Sequence, residues 1–432
     1  MSFLSIILFI KPFSLVLGDL MPIESLKNKQ LAFNKFAIDV LDNNRLEQDL
    51  IKTSMTDGQF SQRNWQAWSV CYGEPSLILA LSSMPKSTDN LKAIQILLKK
   101  VMTRVNDIGL DQIPITYFDG LVGLNSILQE VSYKYGGLNK ARYQLNSAIA
   151  KRFPELMENF KREERHELDF DVVYGITGIL AAQSRQKDDI ENLNFLLTNI
   201  NILVDIYKSK GIAAFTVDPR ISLQSLAKIE NPYYNMGFAH GLSGVLAALS
   251  VIAMNITDET KILTNILSSI GHFIIENSIK DGSSIFLPAI IDVEGNHQGR
   301  TRSAWCYGNP GGARAFSLAY RATGDNRFAQ FAHALVKTAL YEDMEDKRID
   351  FDGVCHGKTG YLMNMYLEGN EPHNYHIHHQ LITHLSQIAE CVLEPGDDRD
   401  PSLLDGYLGV TAALNAIQNG EMQLPRLLLI SV

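Results

Sequence analysis

Arg302-Ser303-Ala304-Trp305-Cys306-Tyr307-Gly308-Asn309-Pro310-Gly311 decides how the rest of the chain reads. A cysteine stands two residues before a glycine turn, and the turn opens an apolar run from Gly312 to Tyr320. This predicts a thiol at a helix N-terminus, where unpaired amides and the helix dipole favour an anion such as a thiolate. Forty-nine residues later the arrangement returns as Val354-Cys355-His356-Gly357-Lys358-Thr359-Gly360-Tyr361. Both cysteines hold the same place before their first glycine, and a histidine follows the second.

Outward from these two stretches, Gly-x-x-Gly recurs at Gly120/Gly123, Gly175/Gly178, Gly241/Gly244 and Gly406/Gly409. A degenerate copy begins at Gly73, with Ser76 where the second glycine belongs. Successive first glycines lie 47, 55, 66, 67, 49 and 49 residues apart. Each copy leads into Leu, Val, Ala and Ile at helical spacing. One apolar helix start per such period is what a helix-pair repeat produces. The glycines suit a tight entry turn and close helix approach. Seven copies predict an all-α closed ring of inner and outer helices.

A ring overrides the two or three domains that 432 residues would otherwise suggest, because each repeat shares its core with its neighbours. Residues 61–432 are assigned to this ring and residues 1–60 to an N-terminal extension with the first helices. Residues 24–60 read as polar amphipathic helix with a turn at Asp57-Gly58. Outer helices are expected near Leu91 to Val105 and Lys261 to Ser278. The two long intervals hold insertions near 205–236 and 280–302. In them Ala213-Ala214-Phe215-Thr216-Val217 and Ser284 to Ile291 read as strand, and Gly295 to Arg302 as loop. Such excursions often frame a site.

A formal net charge of −9 argues against a nucleic-acid partner, which needs clustered Lys and Arg. Four cysteines are too few for a disulfide framework, and two of them fall in the repeated motif, so metal is the better reading. Ser2 to Gly18 is apolar but broken by Lys11-Pro12, and no basic stretch precedes it. That excludes an ordinary signal peptide and an uninterrupted membrane span. Three readings remain: a start at Met21, a peripheral membrane contact, or a packed helix. The first and third are favoured. The body of the chain is expected in the cytoplasm.

Chemistry concentrates at the repeat starts. If adjacent repeats are spatial neighbours, Cys306, Cys355 and His356 converge as two thiolates and an imidazole, a set suited to Zn²⁺. Each alone is equally at home as a small buried residue. Cys71, in Cys71-Tyr72-Gly73, shares the register but belongs two or three repeats away and is assigned to the core. The histidine-rich run His373 to His379 reads as the start of a solvated outer helix. His240, just before Gly241, occupies the register of the metal set and suits acid/base work. Asp171, four residues before Gly175, is its orienting partner, a helix cap, or part of a solvated acidic loop. Asp119 and Asp405 read as caps.

Together, Trp305-Cys306-Tyr307-Gly308-x-Pro310-Gly311, Cys355-His356-Gly357 and His240-Gly241-x-x-Gly244 resemble the lanthionine synthetase C family, the cyclases of class I lantibiotic biosynthesis. The resemblance spans about residues 65 to 418, and the combination is far more specific than any one motif. It implies an α/α toroid of seven inner and seven outer helices with one catalytic zinc at one end. Cys306, Cys355 and His356 match the family's zinc ligands, His240 its active-site histidine and Asp171 its aspartate. Arg302 and Tyr307 match a further arginine and tyrosine of the site. Ser76 and the apolar N-terminus depart from the pattern, and neither touches the site residues.

The resemblance implies intramolecular Michael addition, in which a peptide cysteine thiol adds to dehydroalanine or dehydrobutyrine to form a thioether ring. The substrate would be a dehydrated precursor peptide, and a dehydratase and a transporter would be partners in a complex at the inner membrane face. Arg302 and Tyr307 would stabilise the enolate oxygen or organise Asp171. Two alternatives stand beside this: a relative acting on glutathione or another free thiol, and a non-catalytic zinc-stabilised scaffold. A toroidal glycosidase would need paired carboxylates in place of thiolates.

Overall fold

Every glycine-led segment is a helix in the computed structural model, which describes residues 23–42, 45–49, 65–186, 189–223, 229–256, 260–395 and 400–432. The apolar stretch before Gly18 and the turn at Asp57-Gly58 lie outside the described residues. In chain order the helices are α1 (Lys27–Asp42), α2 (Glu74–Ser83), α3 (Thr88–Ile108), α4 (Leu121–Tyr135), α5 (Asn139–Lys161), α6 (Ile176–Ser184), α7 (Ile190–Lys210) and α8 (Leu242–Asn255). They continue with α9 (Thr260–Glu276), α10 (Asn309–Thr323), α11 (Asn326–Tyr341), α12 (Met344–Lys347), α13 (Lys358–Gly369), α14 (His378–Glu390), α15 (Tyr407–Asn419) and α16 (Gln423–Leu427).

Helices α2, α4, α6, α8, α10, α13 and α15 each pack on the next, and α15 returns to α2, so the inner ring closes. Outside them lie α3, α5, α7, α9, α11 and α14, each against the inner helix that precedes it. The outer place beside α15 is filled by α1, whose Phe33 and Phe36 meet the Tyr407 ring edge-on at 5.1 and 5.5 Å. Gln30 of α1 also hydrogen-bonds Asn415 at 2.9 Å. The N-terminal helix is therefore the seventh outer helix among the described residues, packed as one layer with the ring.

Inner and outer helices start differently. Outer helices α3, α7 and α11 carry side-chain caps, with Ser87, Asp189 and Asp325 accepting amides of the first turn. All seven inner helices start at glycine with no side-chain cap. Their first amides go instead to carbonyls of the loop just before them, as in Leu121 to Pro114, Gly311 to Ala304 and Lys358 to Phe351. The loop thus folds back over its own helix. A Cβ on any second glycine would lie 1.7–2.1 Å from a carbonyl oxygen six residues earlier. The close approach expected from sequence is mainly to the helix's own loop.

These loops also join to one another. Val70 N–H donates to Phe118 O, Phe118 to Val173, Val172 to Ala239, Phe238 and Ala239 to Cys306, Cys306 to Cys355, Val354 and Cys355 to Leu404, and Leu403 to Cys71. This circle of backbone bonds holds all seven inner-helix N-termini at one end of the ring. Below it, Trp305 lies between Phe118 and Phe238, with ring centroids 6.1 and 5.7 Å away. Its indole N–H donates to Leu428 O. The segment from α16 onward fills the ring from the other end: Arg314 donates twice to Ile430 O, and Arg426 pairs with Glu130. The ring is a bowl with a floor.

Strands occur only in the two long intervals among the described residues. β1 (Tyr233–Asn235), β2 (Ile279–Asp281), β3 (Ser284–Phe286), β4 (Pro288–Asp292) and β5 (His297–Arg300) form a three-stranded sheet, β1-β4-β5, and a β2-β3 hairpin, all antiparallel. Three expectations change here. Gly211–Phe215 is a 3₁₀ turn, and of the 213–217 run only Val217 pairs, with Tyr233. The 284–291 run divides at Leu287 between two sheets, because Leu287 N–H turns away to Asn309. The expected 295–302 loop contains β5, paired with β4 through Ile290 and Gln298. The histidine-rich run begins in a 3₁₀ segment, Pro372–Ile377, and its last two members, His378 and His379, open outer helix α14 as expected. His373 lies inward on Ser317 and Glu368 rather than in solvent.

Candidate active site

The bowl's mouth is lined by the residue immediately before each first glycine: Tyr72, Asp119, Tyr174, His240, Tyr307, His356 and Asp405. All seven are polar and half-buried. Three residues before the glycine stand Val70, Tyr117, Val172, Phe238, Trp305, Val354 and Leu403, all buried. The repeat therefore presents a polar rim above a hydrophobic floor. The ring brings the charged and thiol-bearing members of the rim into two groups.

The first group is Cys306, Cys355 and His356, whose donor atoms all lie within 4.8 Å of one another. Cys306 N–H donates to Cys355 O, so the repeat-to-repeat bond itself places the thiols side by side. A hydrogen bond from Cys355 holds the Cys306 thiol well below its ordinary range, with His356 and the Arg302 charge adding to it against burial. Cys355 is pushed up by that same bond and by burial. His356 Nδ1 lies 3.5 Å from Asp405 Oδ1, which leaves Nε2 for a ligand. Two soft sulfurs and an oriented imidazole fit a zinc ion. Cys71 is buried and outside this cluster, and Cys391 is exposed at the end of α14.

The second group is Asp171 and His240. His240 Nδ1 is 2.5 Å from Asp171 Oδ2. Asp171 is fully buried, and its Oδ1 accepts the amides of Val173, Tyr174 and Gly175 at 2.9, 2.6 and 2.8 Å. It is the histidine's partner and not a helix cap: the amides it accepts lie in the loop before α6, and that helix has no side-chain cap. Burial pulls the His240 pKa down, but the Asp171 hydrogen bond and charge prevail and it ends above its ordinary value. Ala239 N–H donates to Cys306 O, which ties this pair to the metal group.

Tyr307 lies flat against Gly237, where a Cβ would meet its ring at 2.5 Å, and its hydroxyl accepts from Asn235 Nδ2 at 2.8 Å. Arg302 is exposed at the start of the same loop, and its charge acts on Cys306 and His356. Asp171 Oδ1 is occupied by backbone amides and Oδ2 by His240. Asp119 and Asp405 are not helix caps, contrary to their sequence reading: helices α4 and α15 have no side-chain cap. Asp405 faces His356, and Asp119 accepts from Ser69 and Tyr174. Their shared register with His240 was the available signal. Phe351, exposed with its ring 5.7 Å from His356, had no signal in the repeat.

Comparison with known proteins gives the fold and the family. The chain is 26% identical over 376 residues to the nisin biosynthesis protein NisC of Lactococcus lactis subsp. lactis, covering 80% of this chain and 84% of that protein. Its fold matches the solved structure of a nisin cyclase with a TM-score of 0.71 at 20% identity, covering 89% of this chain and 98% of that one. The model of the lanthionine synthetase C-like proteins matches residues 37–429, and the chain belongs to that family.

Proposed function

We propose that this protein is a zinc-dependent cyclase that forms lanthionine and methyllanthionine rings in a dehydrated lantibiotic precursor peptide. The observation that carries the reading is the convergence of Cys306, Cys355 and His356 within 4.8 Å beside the Asp171–His240 pair. The reaction joins a cysteine sulfur to the β-carbon of dehydroalanine or dehydrobutyrine. The thiol loses its proton, the resulting enolate gains one at the α-carbon, and mass is unchanged.

Cys306, Cys355 and His356 would hold the metal, which would supply a stabilised substrate thiolate at neutral pH. Asp405 fixes the His356 ring through Nδ1. His240, with Nδ1 committed to Asp171, presents Nε2 as the group that moves the proton. Asp171 holds the imidazole at Nδ1 and favours its protonated form, which suits donation to the α-carbon. Arg302 and Tyr307 are assigned to the enolate oxygen, Tyr307 being placed by Asn235. The hydrophobic floor limits water at the reacting atoms.

The reading extends to a cytoplasmic location and to a dehydratase and a transporter as partners at the inner membrane face. No described helix is long and apolar enough to cross a membrane. The test is incubation of the zinc-loaded protein with a dehydrated precursor, following free thiol and peptide mass together. Loss of thiol at constant mass is expected. Consumption of added glutathione with the peptide thiol untouched would replace this reading with one of free-thiol chemistry.

A further inference from the structure

The arc of the rim away from the metal group carries Tyr72, Asp119 and Tyr174, to which the reaction above assigns nothing. Tyr174 touches both members of the acid/base pair. Its amide donates to Asp171 Oδ1 at 2.6 Å. Its ring stacks on the His240 imidazole, with centroids 6.4 Å apart and planes within 8°. Its hydroxyl donates to Asp119 Oδ2 at 3.0 Å. Asp119 Oδ1 in turn accepts from Ser69 Oγ at 2.7 Å, and Ser69 Oγ accepts the amides of Cys71 and Tyr72. An unbroken line of contacts therefore runs from the first repeat to the histidine in the fourth.

One hydrogen bond through Nδ1 fixes one atom of an imidazole but leaves the ring free to turn about that contact. A parallel aromatic ring restricts the turn, and offset stacking is a favourable arrangement for such rings, more so when one is cationic. The stacking ring must itself be held, and a carboxylate on its far hydroxyl does so. Burial, followed by the Asp119 charge, pushes the Tyr174 hydroxyl well above its usual range, so it stays a donor. We propose that Tyr174, anchored by Asp119, is a positioning residue that sets the plane of the His240 ring and so aims Nε2 at the substrate carbon. This rests on His240 being the acid/base of the proposed function.

The experiment is a double-variant cycle on the full-length zinc-loaded protein, with single-turnover ring closure as the readout beside KM and metal content. Tyr174→Leu removes the ring and is expected to lower the closure rate about 10-fold with KM and zinc unchanged, while Tyr174→Phe keeps the stack and stays within about threefold of wild type. Because both act through His240, Tyr174→Leu in a His240→Asn background should change the rate less than about twofold. Asp119→Ala, which frees the hydroxyl without touching the ring, should show a smaller loss that also vanishes in that background. It carries the cycle if Tyr174→Leu fails to fold. Full activity of Tyr174→Leu, or the same loss with and without His240, overturns the proposal and leaves the cyclase reading intact. Full activity of His240→Asn overturns both.

Discussion

Two arcs of one rim share a scaffold and differ in chemistry. In the arc of repeats four to six, the positions before the first glycine hold Ala239-His240, Cys306-Tyr307 and Cys355-His356. In the arc of repeats one to three they hold Cys71-Tyr72, Phe118-Asp119 and Val173-Tyr174. The plan is shared: a glycine start, a folded-back loop, and an amide handed to the next repeat, with Gly308 alone of the seven starting at positive φ. What differs is two side chains per repeat. The scaffold therefore supplies seven equivalent stations, and a donor set arises wherever neighbouring stations carry ligands. The arc of repeats one to three also contains a thiol, Cys71, yet no metal cluster forms there among the described residues. Burial, followed by the charges of Asp119 and Asp405, pushes that thiol up.

The largest effect expected on this contrast is at the sulfurs. Cys306→Ala with Cys355→Ala should remove bound zinc and reduce cyclisation to background while the helical circular dichroism persists; full zinc occupancy would break the distinction between the arcs. Next, His240→Asn should retain zinc and lose about 10²–10⁴-fold in rate. Removing Asp171 in addition should cost little more, since it acts through the histidine. Zinc loss in His240→Asn would move that residue into the ligand set.

The scaffold half of the comparison is tested at Gly360, where a Cβ would lie 1.9 Å from Val354 O. Gly360→Ala should destabilise by about 4 kcal/mol or more in urea unfolding. The corresponding Ser76 in the first repeat already carries a side chain, whose hydroxyl donates to Gly73 O at 2.7 Å. Ser76→Ala should cost only about 1 kcal/mol. Equal losses at the two positions would mean that the close approach of Val354 O to Gly360 does not limit that helix start. Of comparable size is Asp405→Asn, which should weaken zinc binding about 10-fold with the fold unchanged, measured by competition with a chelator.

Much of this was readable before any coordinates. The glycine period predicted the ring, because a loop that crosses its own helix start excludes a Cβ at the same place in each complete repeat. The shared register of Cys306, Cys355, His356 and His240 predicted their convergence, because equivalent positions in a ring face one mouth. Within the insertions the 284–291 strand held except for its break at Leu287, whereas the 213–217 strand and the 295–302 loop were misplaced. There, pairing depends on which segments meet, and Leu287 breaks a continuous apolar run by bonding Asn309 across 22 residues of sequence.

Sequence alone determined which residues reach the mouth, since that follows from position relative to each first glycine. Tertiary structure alone decided what each one holds. Asp119 and Asp405 look alike in sequence, each beside its glycine, yet one accepts from Tyr174 and the other faces His356. Tyr307 is placed by Asn235, 72 residues away, and by the missing side chain of Gly237. The seventh outer position went to α1, far from α15 in the chain, because closing the ring brings the two ends together. Such partners come from adjacent repeats or from opposite ends of the chain. The lateral packing of the helices sets which atoms meet, and the repeat period does not record it.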